Sequence, residues 1–221
     1  MPDNSIDTLI FDIGGVLVEL TGVQQMLDWC GGGLTEAELW PRWLSSPGVR
    51  AFEAGRSSAE EFGTEMVREF ELCVGPQEFL TAFTRWPRAL YPGAAELLRS
   101  LAPRRQLVSL SNTNMLHWNY VCDDLGLGTM FDRHFPSHQT GVIKPDREAF
   151  DFVVRSLGGR AERMVFLDDN QLNVDAAHAA GLQAYRTAGV EQAAARLWDL
   201  GFTHGLKGGY AQRPAAMEDS I

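Results

Sequence analysis

The chain has 221 residues, 45% of them hydrophobic and 22% charged, which suits a folded protein with a sizeable core and excludes a disordered one. A formal net charge of −10 excludes general affinity for nucleic acid or anionic membrane, since both need surplus Lys and Arg. Three widely spaced cysteines make no metal or redox motif, no apolar run approaches a membrane span, and the N-terminus is polar and acidic, so a soluble, cytoplasmic protein is expected.

In chain order, the first expected element is a strand over 8–13, the run Thr8-Leu9-Ile10-Phe11-Asp12-Ile13 stopped by Gly14-Gly15. Such a run reads as a buried parallel strand with a polar residue near its C-terminal end. From there to Pro92 the patterning is helical, with no convincing strand. Helices are expected over 34–44, 58–70 and 76–83, with Ser58 as an N-cap and Glu61 completing a capping box. An insertion of this length directly after the first strand predicts a small all-helical cap domain over 18–88, set on the C-terminal edge of the sheet.

Beyond Pro92-Gly93 the pattern alternates. A helix over 94–101 precedes a strand over 107–111, a helix over 114–125 and a shorter strand around Phe135. A helix over 147–157, a strand over 164–168, a helix over 173–180, a strand over 182–185 and a helix over 190–200 complete the series. This alternation predicts an α/β fold, a Rossmann-like parallel sheet covered by helices on both faces, built from 1–17 and 89–204. The Gly-rich tail, 205–221, is expected to be loosely ordered.

In open parallel sheets, ligands bind outside the carboxyl ends of the strands. Those ends carry Asp12, Ser111-Asn112 and Asp168-Asp169, with Lys144 on a loop between the second and third. Each has an ordinary alternative. A carboxylate there also caps a helix, Ser-Asn also shapes a turn, and a lysine before proline also sits exposed on a loop. Taken together they imply chemistry. Three carboxylates in one pocket repel unless a cation joins them, and oxygen ligands without a His or Cys cluster indicate a hard ion, most simply Mg²⁺. A hydroxyl, an amide and an ammonium supply donors for phosphate oxygens, and a carboxylate in line with phosphorus can attack it.

This ordered set resembles the phosphatases of the haloacid dehalogenase-like superfamily. The resemblance runs from Leu9 to about Phe202 and rests on four motifs: Leu9-Ile10-Phe11-Asp12-Ile13-Gly14-Gly15-Val16-Leu17, Leu110-Ser111-Asn112-Thr113-Asn114, Gly141-Val142-Ile143-Lys144-Pro145-Asp146, and Phe166-Leu167-Asp168-Asp169-Asn170 with Asn173 beyond. By resemblance, Asp12 is the nucleophile and a metal ligand, and Ser111 and Asn112 bind phosphoryl oxygens. Lys144 holds nucleophile and phosphate together, Asp169 ligates Mg²⁺, and Asp168 ligates directly or through water. The insertion falls where the family carries its type-1 helical cap, whose closure excludes water and reads the leaving group.

One position departs from the family pattern. Most family phosphatases place a second Asp two residues after the nucleophile as general acid and base, and here that residue is Gly14. Its backbone carbonyl can still ligate the metal, but the proton-transfer role, typically worth about 10²- to 10⁴-fold, is vacant. Three outcomes are open: slow turnover through water or a substrate group, substitution by a cap residue such as Glu19 or Glu53, or a catalytically silent phosphate-binding protein. The motif also resembles a subgroup that includes bacterial phosphatases acting on glucose 1-phosphate. That points to a small phosphate ester, a sugar phosphate among the candidates, as substrate. A metal-free dehalogenase is disfavoured by the paired Asp168-Asp169. Arg56 beside the Phe52-Glu53-Ala54-Gly55 loop and His117 with Trp118 have both substrate-facing and ordinary surface or packing readings. Trp29, Trp40, Trp43 and Trp86 are expected to pack, and His134 and His138 receive no role.

Overall fold

The computed structural model describes residues 6–102 and 104–203. In chain order, β1 (Thr8–Phe11) and β2 (Val18–Leu20) precede five helices: α1 (Gly22–Trp29), α2 (Glu36–Ser45), α3 (Pro47–Glu53), α4 (Ala59–Glu69) and α5 (Pro76–Phe83). Then come β3 (Pro87–Leu90), α6 (Ala94–Leu101), β4 (Gln106–Ser111), α7 (Met115–Asn119), β5 (Arg133–Pro136) and α8 (Ser137–Thr140). The chain continues through α9 (Arg147–Ser156), β6 (Met164–Asp168), α10 (Gln171–Ala179), β7 (Gln183–Arg186) and α11 (Gly189–Asp199).

Five strands form one sheet in the order β5-β4-β1-β6-β7, and every pairing is parallel. The continuous apolar runs read from the sequence are explained by burial on both faces. In β1, Leu9 and Phe11 point into one apolar cluster with Leu97, Leu98, Ala193 and Leu197 of α6 and α11. Ile10, between them, points the other way, into a cluster with Phe150, Val153, Val174 and Ala177 of α9 and α10. Successive strand side chains alternate between faces, so a strand covered on both sides is apolar on both faces along most of its length. The expected α/β sheet is therefore present.

The five helices between β2 and β3 hold an apolar cluster of their own around Trp43, Phe52, Phe62, Phe79 and Phe83. Phe52 and Phe62 stack with centroids 4.2 Å apart, and Trp43 lies 5.5 Å from Trp86. Trp43 is accordingly a packing residue. The Ser58 capping box forms as expected: Glu61 N–H donates to Ser58 Oγ at 3.2 Å, and Ser58 N–H donates to Glu61 Oε2 at 2.8 Å.

Several local expectations need correction. The stretch read as strandless holds β2 and β3, which pair antiparallel at the base of the helices. Strands of three and four residues are too short to show alternation, and β3 opens on Pro87, a residue confined to strand starts and edges. Helices α1 and α3 were not anticipated. The expected helix over 114–125 is α7 followed by a π-helical turn, Tyr120–Asp124. The helix expected from 173 begins at Gln171, because the Asn170 side chain accepts from Leu172 N–H at 3.0 Å and caps it. The tail at 205–221 lies outside the described residues. Among the described residues, no helix is long and apolar enough to cross a membrane.

Candidate active site

The strand order places the sequence motifs beside one another. β4, β1 and β6 are adjacent, so Ser111 at the end of β4, Asp12 just past β1 and Asp168 at the end of β6 lie side by side at one edge. Asp12 N–H still follows the ladder, donating to Leu167 O at 2.8 Å. Lys144 arrives from the loop after β5 and α8, on the far side of β4.

Lys144 is the organising cation. Its side chain is 1% exposed, and Nζ lies 2.9 Å from Asp12 Oδ1 and 2.7 Å from Asp168 Oδ2. Asn112 holds it there: the Asn112 Nδ2 donates to Lys144 O at 2.8 Å, and Lys144 N–H donates to Asn112 Oδ1 at 2.9 Å. Both ends of that amide are thus used on the lysine backbone, leaving one amide hydrogen for a ligand. Asp168 is similarly engaged. It accepts from Asn173 Nδ2 at 3.0 Å on both oxygens and from Asn170 N–H at 2.8 Å, besides Lys144. Its lone pairs are largely taken up by Lys144, Asn170 and Asn173, while those of Asp12 and Asp169 are less engaged.

One oxygen each from Asp12, Asp168 and Asp169 lies within 4.8 Å of the others, making a group able to hold a metal ion. Burial pushes the Asp12 carboxyl up to about 8, with Asp168 and Asp169 adding to the rise and Lys144 opposing it. Asp169 is pushed up to about 6, by burial first and then by Asp168. Burial disfavours the charge on Lys144, yet Asp12 and Asp168 outweigh it and hold the ammonium above its ordinary range. One buried ammonium is therefore too little positive charge for three carboxylates, and the donor set, all oxygen, fits a hard divalent cation.

Two glycines shape this edge differently. Gly15 has φ +73°, and a Cβ there would lie 2.2 Å from Asp169 Oδ2, so its bare backbone is what admits that carboxylate. At Gly14 a Cβ would meet Leu20 Cδ1 at 2.9 Å. The space beside the position where most family phosphatases carry an acid is thus bordered by an apolar side chain.

Residues 6–181 match the haloacid dehalogenase-like hydrolase family. The chain belongs to this family. Within it, this hydrolase is 23% identical to a D-ribitol-5-phosphate phosphatase of Bacteroides thetaiotaomicron, covering 82% of this chain and 91% of that one. It is 28% identical to a Mycobacterium tuberculosis phosphatase, covering 82% and 87%. A B. thetaiotaomicron enzyme of the family, solved with magnesium and inorganic phosphate, shares its fold with a TM-score of 0.66 and 23% identity over 82% of this chain and 93% of that one.

The remaining residues of the hydrolase sort by contact. Ser111 is buried, its hydroxyl 3.4 Å from Asn112 O. His117 Nε2 pairs with Phe83 O at 2.7 Å, joining α7 to α5, and burial pushes its imidazole down to about 4. Trp118 is buried beside His134 and His138. Arg56 Nη2 donates to Gly141 O at 3.2 Å, and Glu19 pairs with Arg88 at 3.3 Å across the β2–β3 ribbon. Two site residues escaped the sequence reading. Arg186, closing β7, donates from Nε to Asp169 O at 3.0 Å, and the strand-end rule applied to β7 would have pointed to it. Gly15 was signalled by the second glycine of its motif, but its contact with Asp169 joins distant segments.

Proposed function

We propose that this protein is a Mg²⁺-dependent phosphomonoester hydrolase acting through an aspartyl-phosphate on Asp12. The observation that carries this reading is the Lys144 ammonium bridging Asp12 and Asp168 beside Asp169, a nucleophile tied to a cation within a carboxylate group that needs a second one. Asp12, Asp169 and the Gly14 carbonyl would hold Mg²⁺, with Asp168 contributing directly or through water. Bound there, the ion supplies neutralisation of phosphoryl charge. Asp12 attacks phosphorus, while Lys144, Ser111 and the free hydrogen of the Asn112 amide take up charge on the non-bridging oxygens.

The substrate class proposed is a small phosphorylated metabolite, a sugar or polyol phosphate. In support, the B. thetaiotaomicron relative acts on D-ribitol 5-phosphate. The helices of 18–88 would serve as the cap that covers the site and reads the leaving group. Asp12→Asn should abolish turnover of an aryl phosphate in Mg²⁺ while the circular dichroism spectrum stays native. Unchanged turnover would remove Asp12 from the chemistry.

A second reading, a phosphate-binding protein without turnover, is favoured by Gly14 and the apolar Leu20 beside it. It would be chosen if the wild-type chain bound Mg²⁺ and phosphate yet hydrolysed no member of a broad phosphate-ester panel.

A further inference from the structure

A phosphoryl transfer through Asp12 needs a proton for the leaving oxygen and later a base for the attacking water. Gly14 can supply neither. Ionisable groups near this edge are few, and most are committed. Glu19 is paired with Arg88. Tyr91 is held protonated by burial, with Glu19 and Asp169 adding to the effect, so it suits a donor but not a base. Asp168 is held by Lys144, Asn170 and Asn173.

Glu53 differs. It is the last residue of α3, and the segment around it is fastened to the Lys144 loop and its approach at three points. Arg50, one turn earlier, pairs with Asp146 at 2.6 Å, two residues beyond Lys144. Gly55, at φ +68°, presses against the backbone of α8, where a Cβ would stand 2.3 Å from His138 O. Arg56 donates to Gly141 O at 3.2 Å. Pairs as exposed as Arg50–Asp146 contribute little energy, but these contacts fix position on both sides of Glu53. The Glu53 side chain is partly buried, and among the described residues no hydrogen bond or ion pair engages its carboxyl.

We infer, on the footing of the phosphomonoesterase activity proposed for Asp12, that Glu53, carried on the inserted helices beside the Lys144 loop, is the general acid and base of the reaction, taking over the role that Gly14 cannot fill. In the first half, Asp12 forms a bond to phosphorus, the bond from phosphorus to the leaving oxygen breaks, and that oxygen takes the Glu53 proton. In the second, the Glu53 carboxylate takes a proton from water as the water oxygen bonds to phosphorus. The Asp12–phosphorus bond then breaks, phosphate leaves, and Glu53 is protonated again. The environment suits both halves. Burial pushes Glu53 up to about 7, with Lys144 and then Arg50 opposing it, so acid and base forms coexist near neutrality. Other charged or titratable groups around this segment are His138 and Asp146 on the facing loop, Arg56 just beyond Glu53, and Glu65 and Glu69, which pack against the start of α3.

The test compares wild type, Glu53→Gln, Glu53→Asp and Asp12→Asn in Mg²⁺, using p-nitrophenyl phosphate and an alkyl phosphate, ribitol 5-phosphate, under rapid quench. Glu53→Gln should slow alkyl-phosphate turnover about 10²- to 10⁴-fold. With the aryl ester, whose leaving group needs no proton, it should release close to one equivalent of nitrophenol quickly and then stall, with one phosphoryl group added to the protein mass. Glu53→Asp should recover part of the rate. Glu53→Gln turning over both esters like wild type would overturn the assignment. So would an equal slowing of both without a burst, which marks a merely structural role. A wild-type chain that neither turns over nor becomes phosphorylated would bring down the Asp12 chemistry itself, and the Glu53 assignment with it.

Discussion

Lys144→Met removes the cation shared by Asp12 and Asp168 while keeping an apolar stem of similar length. Lys144 is 2% exposed, Asp12 8% and Asp168 0%, so water cannot replace the lost partner without entering the site. Removing one member of a buried ion pair costs about 3–5 kcal/mol. Two carboxylates lose their partner here, but Asp168 keeps the Asn173 amide and the Asn170 N–H, which places the expected loss near the lower end. For a chain of this size a loss of about 3 kcal/mol corresponds to roughly 6–12 °C in Tm. The assay is urea unfolding at pH 7.5 in EDTA, repeated in Mg²⁺. A ligand at a hundred times its Kd stabilises by about 2.7 kcal/mol. The variant, with more uncompensated negative charge, should gain more from Mg²⁺ than wild type does. Turnover should fall on the order of 10²- to 10³-fold through lost charge stabilisation. A variant unfolding within about 1 kcal/mol of wild type in EDTA would refute the view that Lys144 holds the carboxylates together.

The adjacent glycines should respond differently to alanine. Gly15→Ala drives a Cβ into Asp169 Oδ2 from a left-handed backbone, and should raise the Mg²⁺ concentration for half-maximal turnover about 10- to 100-fold. Gly14→Ala meets only the flexible end of Leu20 and should leave that concentration unchanged; equal responses would contradict the geometry. His117 provides a pH signature. Its folded value is lowered to about 4 against the ordinary 6.5, so the unfolded chain takes up a proton first as pH falls. Its contribution is therefore intact above 6.5 and is lost on going down to 4, by at most about 3 kcal/mol. Urea melts of His117→Gln should show a shallower loss between pH 7 and 4.5 than wild type, and parallel slopes would disprove the assignment.

Asp12, Ser111 and Asp168 could be read from the chain because each ends an apolar run, and a strand buried on both faces changes character abruptly where it reaches solvent. Leu9, Ile10 and Phe11 dictate β1 by themselves, and the Ser58 capping box is legible because its partners lie within one helical turn. The short strands β2 and β3 were hidden, since three or four residues carry too little pattern and stand only because each pairs with the other. Asn112 shows the same limit at the site. Its type suggested a phosphate donor, but not that both ends of its amide would also close on the backbone of Lys144, 32 residues away.

What the amino-acid order determined by itself was local: which strands end in carboxylates, where a lysine precedes a proline, and that Gly14 carries no acid. The tertiary structure alone decided which of those groups come together around one ammonium. It bound Lys144 between Asp12 and Asp168, set Asp169 against the bare face of Gly15, and fastened the Glu53 segment beside the Lys144 loop. The physical reason is range. Backbone preference and burial pattern act over a few neighbouring residues, whereas charge pairing and desolvation depend on distances that exist only after remote segments have packed.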